Sequence, residues 1–202
     1  GLKPIVLQNL PDSFIERLTT LFKVSIALKY NPKEWSKSRI IFIPKLNKED
    51  YDNPKSFRPI SLTQFIFKTE ERVQKWEVED KYLSIKPMHE HQFAFRIGKS
   101  TDGALSQVVD KIESGLYRSQ FTLGVFLDIS GAFDNISIDS IIKGFKSKGI
   151  SENITGWFES SLRNRIANAS LGDDSISVKR SLTRGTAQGG VLSTIAWNIA
   201  ID

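Results

Sequence analysis

The stretch with the most chemical potential in this 202-residue chain is Phe126-Leu127-Asp128-Ile129-Ser130-Gly131-Ala132-Phe133-Asp134. It sets a carboxylate at the end of the apolar run Phe121–Leu127, and an unpaired charge beside a buried strand is costly. Mg²⁺ prefers carboxylate and phosphate oxygens, and a strand end holds a carboxylate rigidly where metal ions meet a triphosphate. Asp128 therefore fits phosphoryl-transfer chemistry. It also fits an N-cap for the turn that follows, and the segment alone does not separate the two. A second acidic group, Gly172-Asp173-Asp174-Ser175, lies between two alternating stretches and reads as ordinary hairpin-turn chemistry.

Several elements must position these residues. Pro11-Asp12-Ser13 opens a helix with apolar residues at Phe14, Leu18, Leu21, Phe22, Ile26 and Leu28, closed by Asn31-Pro32. Arg39–Ile43 reads as a short strand stopped by Pro44, and 45–55 as a polar loop. Ser61 caps a long predicted helix from Leu62 to about Tyr82, with Phe65, Ile66, Val73 and Trp76 as its buried side. Ser100 caps another, whose stripe is Ala104, Val108, Ile112 and Leu116. Phe121–Leu127 reads as a buried strand, followed by helices at Ser137–Lys148 and Glu152–Leu162. A hairpin is expected over Ile166–Leu182, turning at Gly172-Asp173-Asp174, and a last helix follows Gly189-Gly190. Strands and helices alternate without regular βαβ spacing, which predicts an α+β fold.

Composition narrows the function classes. With no cysteine, a disulfide scaffold, a thiolate zinc site and a cysteine nucleophile are excluded, and His89 and His91 are too few for most histidine-rich metal sites. No apolar run approaches the roughly 20 residues of a membrane span, and no signal peptide is visible, so an intracellular protein without a membrane partner is expected. The chain begins with Gly1 and stops at Asp202 inside a helical pattern, so it reads as a fragment. Net charge is +5, concentrated in residues 1–100, which hold 18 Lys and Arg against 12 Asp and Glu. A basic first half suits a polyanion, and it equally suits a plain solvated surface.

Five ordered blocks cover nearly the whole chain. They are Arg39-Ile-Ile-Phe-Ile-Pro-Lys45, Phe57-Arg-Pro-Ile-Ser-Leu62, Gln92-Phe-Ala-Phe-Arg96 with Lys99-Ser-Thr101, Leu127-Asp-Ile-Ser-Gly-Ala-Phe-Asp134, and Arg184-Gly-Thr-Ala-Gln-Gly-Gly-Val-Leu-Ser193 before Trp197-Asn198. In this order they resemble the reverse transcriptases of non-LTR (LINE-type) retrotransposons, and more loosely the group II intron enzymes.

The resemblance implies a right-hand polymerase fold, with fingers and an N-terminal helical extension over 1–120 and an incomplete palm over 121–202, the thumb absent. It implies RNA-directed DNA synthesis by two-metal nucleotidyl transfer from a dNTP to a primer 3′-hydroxyl. Asp128 takes the place of the first catalytic carboxylate on two Mg²⁺ ions, with the Ile129 carbonyl as a further ligand. Phe133 takes the place of the steric gate that excludes a 2′-hydroxyl. Lys45 and Arg58 match residues that grip the triphosphate, and Gln188 and Gly189 the block that supports nucleotide and template base. Arg96 and Lys99 are expected on the template backbone. Partners are then an RNA template, a DNA primer or target, and dNTP.

Departures accompany the match. Ala187 and Thr194 stand where the family has proline, and Glu70 where it has leucine or a similar residue, a charge that reads either as a solubilising surface change or as a scar of relaxed selection. The Tyr/Phe-x-Asp-Asp block, and with it the remaining metal carboxylates, is expected beyond Asp202, so polymerisation by this piece alone is not expected. Two further readings stay open: a degenerate, non-catalytic RNA-binding relic, and a viral RNA-dependent RNA polymerase, whose Gly-Asp-Asp signature Gly172–Asp174 resembles.

Overall fold

The helices of residues 138–201 explain why this chain folds at all. A computed structural model describes residues 4–171 and 176–202. Ser137 and Ser151 cap two amphipathic helices, α6 (Ile138–Ser147) and α7 (Glu152–Arg163), by accepting from the Ser140 and Ile154 amides. Gly149, at φ +77°, turns the chain between them. Their apolar stripes, Ile138, Ile141, Ile142 and Phe145 against Ile154, Trp157, Phe158 and Leu162, form the core with α8 (Ser193–Ile201). Phe145 and Phe158 stack with ring centroids 5.5 Å apart. α8 crosses α6 at Gly144, where a Cβ would stand 2.8 Å from the Ile199 carbonyl oxygen.

Preceding these are α1 (Pro4–Gln8), α2 (Asp12–Ala27), β1 (Lys37–Pro44), β2 (Phe57–Thr63), α3 (Phe65–Glu77) and α4 (Thr101–Tyr117). A π-helical turn, Val78–Leu83, continues α3. The short α5 (Ala132–Asn135) precedes α6, and β3 (Ile166–Leu171) and β4 (Ile176–Ser181) lie between α7 and α8. The strands make one mixed sheet in the order β2-β1-β3-β4. β1 runs antiparallel to β2, with Ile43 opposite Arg58, and parallel to β3, with Arg39 opposite Asn168. The sheet thus joins strands from both sides of residue 120, and the architecture is α+β as expected. The tip of the β3–β4 hairpin, including Gly172-Asp173-Asp174, lies outside the described residues.

The structure corrects four expectations. β2 is a strand where the sequence gives no element over 57–60 and a helix capped by Ser61 from Leu62; its Pro59 is accommodated because β2 is a sheet edge, where a missing N–H costs no ladder bond. The long helix starts at Phe65 and buries Phe67, Glu70, Glu71, Gln74 and Val78 instead of the Val73 and Trp76 side. Those positions are spaced by three and four, so the anchoring of Phe67 and Val78 in the core carries the carboxylates between them inside. Glu70 is therefore no surface charge: it is 0% exposed. The α4 stripe is not buried either, since Val108, Ile112 and Leu116 all face solvent.

The fourth correction concerns Phe121–Leu127. This stretch forms no strand, and Phe126 and Leu127 are 89% and 90% exposed. A strand needs a neighbour for its N–H and C=O groups and a layer for its side chains. Among the described residues, no strand of the β2-β1-β3-β4 sheet pairs with this stretch and no layer covers it.

Candidate active site

Asp128 stands at the end of that open stretch, exposed, with no hydrogen bond or ion pair among the described residues. Ile129 follows it, also exposed. The chain then tightens. Gly131 adopts φ +60°, the left-handed region, and its carbonyl accepts from the Asp134 and Asn135 amides at 3.0 and 2.9 Å. Asn135 Nδ2 donates to the Ser130 carbonyl at 3.1 Å. This turn presents Phe133, half-buried, between two aromatic rings: Phe95 meets it edge-on at 6.0 Å and Trp197 at 6.0 Å with 40° between planes.

Residues 183–190 lock onto this turn and onto the sheet. The Thr186 amide donates to the Phe133 carbonyl and the Gly185 amide to the Ile136 carbonyl, both at 2.7 Å. Further on, the Gln188 carbonyl accepts from the Ser61 amide of β2 at 2.8 Å. Gly189 passes the same strand so closely that a Cβ would sit 3.1 Å from the Ser61 carbonyl oxygen, and its φ of +112° suits glycine. Blocks that are over a hundred residues apart in sequence thus converge on Phe133 and β2.

The Gln92–Arg96 block joins the same assembly through Asn198, which is fully buried on α8. Asn198 Nδ2 donates to the Ala94 carbonyl at 2.7 Å, and Gln92 Nε2 donates to the Asn198 carbonyl at 3.1 Å. Arg96 and Lys99, expected on a template, brace this loop: Arg96 Nη1 donates to the His89 and Gln92 carbonyls at 2.7 and 3.0 Å. Lys99 Nζ donates to the Glu90 carbonyl at 3.1 Å and lies 4.8 Å from the centre of the Phe93 ring. Lys45 Nζ likewise donates to the Lys55 carbonyl at 2.8 Å, across the β1–β2 connection. Arg58 is exposed, two residues beyond that connection's short 3₁₀ turn, and its side chain makes no hydrogen bond or ion pair among the described residues.

Two carboxyl groups missed as site-supporting residues lie beneath. Glu71 Oε2 accepts from the Val191 amide at 3.2 Å, tying α3 to the approach to α8. Burial lifts its carboxyl to about 7, opposed by the Val191 and Leu192 amides and by Lys68. Burial pushes Glu70 further, to about 8. The Ser25 hydroxyl and Trp157 indole N–H pull the other way, yet neither reaches it with hydrogen-bond geometry. Both Glu70 oxygens and Trp157 Nε1 are without partners, and Ser25 donates to the Tyr30 carbonyl instead. No sequence signal marks these roles, because a glutamate on a helix is far more often solvated.

Among the described residues, no three His, Asp or Glu side chains group closely enough to hold an ion. The nearest acid in sequence, Asp134, belongs to a different environment: burial raises its carboxyl above the ordinary range and Arg165 opposes the rise.

Comparison with known proteins shows which family these ordered blocks belong to. The family model described as reverse transcriptase (RNA-dependent DNA polymerase) matches residues 43–202. The chain is 28% identical over 193 residues to a probable RNA-directed DNA polymerase from transposon BS of Drosophila melanogaster, covering 96% of this chain and 21% of that protein. It is 34% identical over 130 residues to a probable RNA-directed DNA polymerase from transposon X-element of the same organism, covering 64% and 14%. The chain thus spans about a fifth or less of the length of these relatives. Among solved structures, an apo telomerase from Candida tropicalis truncated from its C-terminal domain superposes with a TM-score of 0.49 at 14% identity, covering 93% of this chain and 43% of that one. With the family model spanning most of its length, this chain belongs to the reverse transcriptase (RNA-dependent DNA polymerase) family.

Proposed function

We propose that this chain is the fingers (1–120) and part of the palm (121–202) of a non-LTR retrotransposon polymerase that copies RNA into DNA. One observation supports this most: the Phe57–Leu62, Leu127–Asp134 and Arg184–Ser193 blocks are joined by hydrogen bonds around Phe133 and β2, and the Gln92–Arg96 block reaches them through hydrogen bonds to Asn198 and the Phe95 ring against Phe133. In this reading Phe133 lies under the incoming sugar and leaves no room for a 2′-hydroxyl, so dNTP is the substrate. Gln188 and Gly189 support the new base pair, and Lys45 and Arg58 offer a point charge and a planar fork to the triphosphate. Arg96 and Lys99 shape the template-side loop.

Reverse transcriptases typically use divalent metal ions, which neutralise charge during phosphoryl transfer. Asp128 and the Ile129 carbonyl supply two oxygen donors, and the set needs further carboxylates. The exposure of residues 121–129 fits the same reading, since an apolar stretch of this kind is a strand awaiting neighbours in a longer polypeptide. It also favours the view that these 202 residues do not polymerise by themselves.

The test is primer extension on an RNA template by the polypeptide that carries this chain. Asp128→Ala should lower extension at least about hundredfold, as loss of a transition-state charge contact does. Extension by Asp128→Ala at the parent rate overturns the assignment. Salt-sensitive RNA binding without extension by the parent polypeptide points to the non-catalytic alternative instead.

A further inference from the structure

A buried cation sits directly behind the Phe133 turn, in a cleft of ≈ 370 Å³ whose lining includes Ile40, Pro59, Ala167, Asp134, Arg165 and Thr186. Arg165, just before β3, is 7% exposed. Its Nη2 donates to the Arg184 carbonyl at 2.9 Å, while Nε and Nη1 are buried without a partner among the described residues. Asp134 is the charge that acts on it, facing it across the cleft without a direct ion pair. The Thr186 hydroxyl, buried in the same cleft, also has no partner.

Backbone bonds surround this guanidinium. The Arg165 carbonyl accepts from the Leu182 amide at 3.0 Å, and the Gly185 and Thr186 amides reach the Ile136 and Phe133 carbonyls. Gly185, at φ +77°, passes so near that a Cβ would lie 2.6 Å from the carbonyl oxygens of Phe133 and Asp134. The 183–188 segment is therefore pinned from two sides, by Arg165 at Arg184 and by the Phe133 turn at Thr186.

We propose that Arg165 is a positioning residue that holds the segment leading to Gln188 in register with the Phe133 turn, with Asp134 as its counter-charge. A buried guanidinium short of partners is expensive to keep. Its fork can nevertheless hold one carbonyl and face one carboxylate at a fixed angle, which an apolar side chain of equal volume cannot. Because Gln188 bonds β2 four residues after Arg184, a shift at Arg165 is transmitted both to the Phe133 ring and to the edge of the sheet. The meaning of this register for sugar and base selection rests on the polymerase reading; the register itself does not.

The test is residue-resolved amide hydrogen exchange on the 202-residue chain, comparing the parent with Arg165→Met and Asp134→Asn. In Arg165→Met the Gly185 and Thr186 amides should exchange about tenfold faster, the equivalent of one hydrogen bond to a charged group. The interior amides of α6 and α7, such as Phe145 and Phe158, should stay within about twofold, since they share no partner with Arg165. Asp134→Asn should accelerate the same two amides by a smaller factor. Unchanged exchange at Gly185 and Thr186 overturns the proposal, and so does acceleration spread evenly over the helical core, which marks a merely structural residue. If Arg165→Met does not fold, Asp134→Asn decides alone: unchanged protection at both amides refutes it. The readout is protection rather than synthesis, so its failure leaves the primer-extension test of the polymerase reading untouched.

Discussion

Residues 138–162 and 105–129 are apolar stretches of equal length with opposite fates. In the first, Ile141, Phe145, Trp157 and Phe158 are shut away between α6, α7 and α8. In the second, Leu105, Ile112, Leu116, Phe121, Leu123 and Phe126 all face solvent. Both carry apolar residues at regular spacing, so intrinsic pattern does not separate them. What separates them is supply. Two capped helices joined by Gly149 fold back on each other, and α8 provides the third side. α4 and the stretch after it find no element of this chain to cover them. The carboxylate assigned to chemistry, Asp128, ends the uncovered region, whereas Phe133 and Gln188 belong to the covered one. In the proposed polymerase reading, the site spans this boundary and needs the open side to be covered.

That contrast is open to direct attack by mutation. Trp157→Ala removes a fully buried ring and should cost roughly 3–5 kcal/mol in urea unfolding. A loss below about 1 kcal/mol means that the helical core is not the stable unit described here.

Glu70→Gln comes next, because the core also contains a charge it pays to hold. With its folded pKa at about 8, above the 4.5 expected without burial, Glu70 binds a proton more tightly in the folded chain. Its contribution to stability is complete below pH 4.5 and is lost as pH rises through 8. The parent chain should therefore lose stability from pH 5 to 8, and Glu70→Gln should flatten that decline, with a gain on the order of 2–4 kcal/mol at pH 8. Parallel pH profiles for the two chains contradict the burial of this carboxyl.

The smallest effect is expected in the open region. Phe126→Ala should change unfolding by less than about 0.5 kcal/mol, although it too removes an aromatic ring. A cost comparable to that of Trp157→Ala shows that the stretch is covered in solution and erases the difference between the two regions.

Local signals proved legible where the chain's own neighbours satisfy them. Ser100 announces a helix start and accepts the expected amide, and the helices expected over Ser137–Lys148 and Glu152–Leu162 form within one residue of those bounds. Asn31-Pro32 and Gly149 announce stops. The hairpin pairing Ile166 with Ser181 follows from alternation on either side of a turn. Family membership was legible as well, because ordered blocks are a property of the sequence itself. Glu70 and Arg165 were not legible: their burial is imposed by Phe67 and Val78 on one helix and by the sheet face under Asp134, none of which has a local signature.

The amino-acid sequence by itself determined the starts and stops of most helices, the β3–β4 hairpin and the ordered blocks that mark the family. Only the tertiary structure decided which face of α3 turns inward, that Phe57–Thr63 is an edge strand, that Arg96 and Lys45 brace loops, and that Phe121–Leu127 stands uncovered. The reason is physical. Caps and turns are settled by contacts within a few residues, whereas burial and strand pairing depend on what the rest of the chain brings alongside.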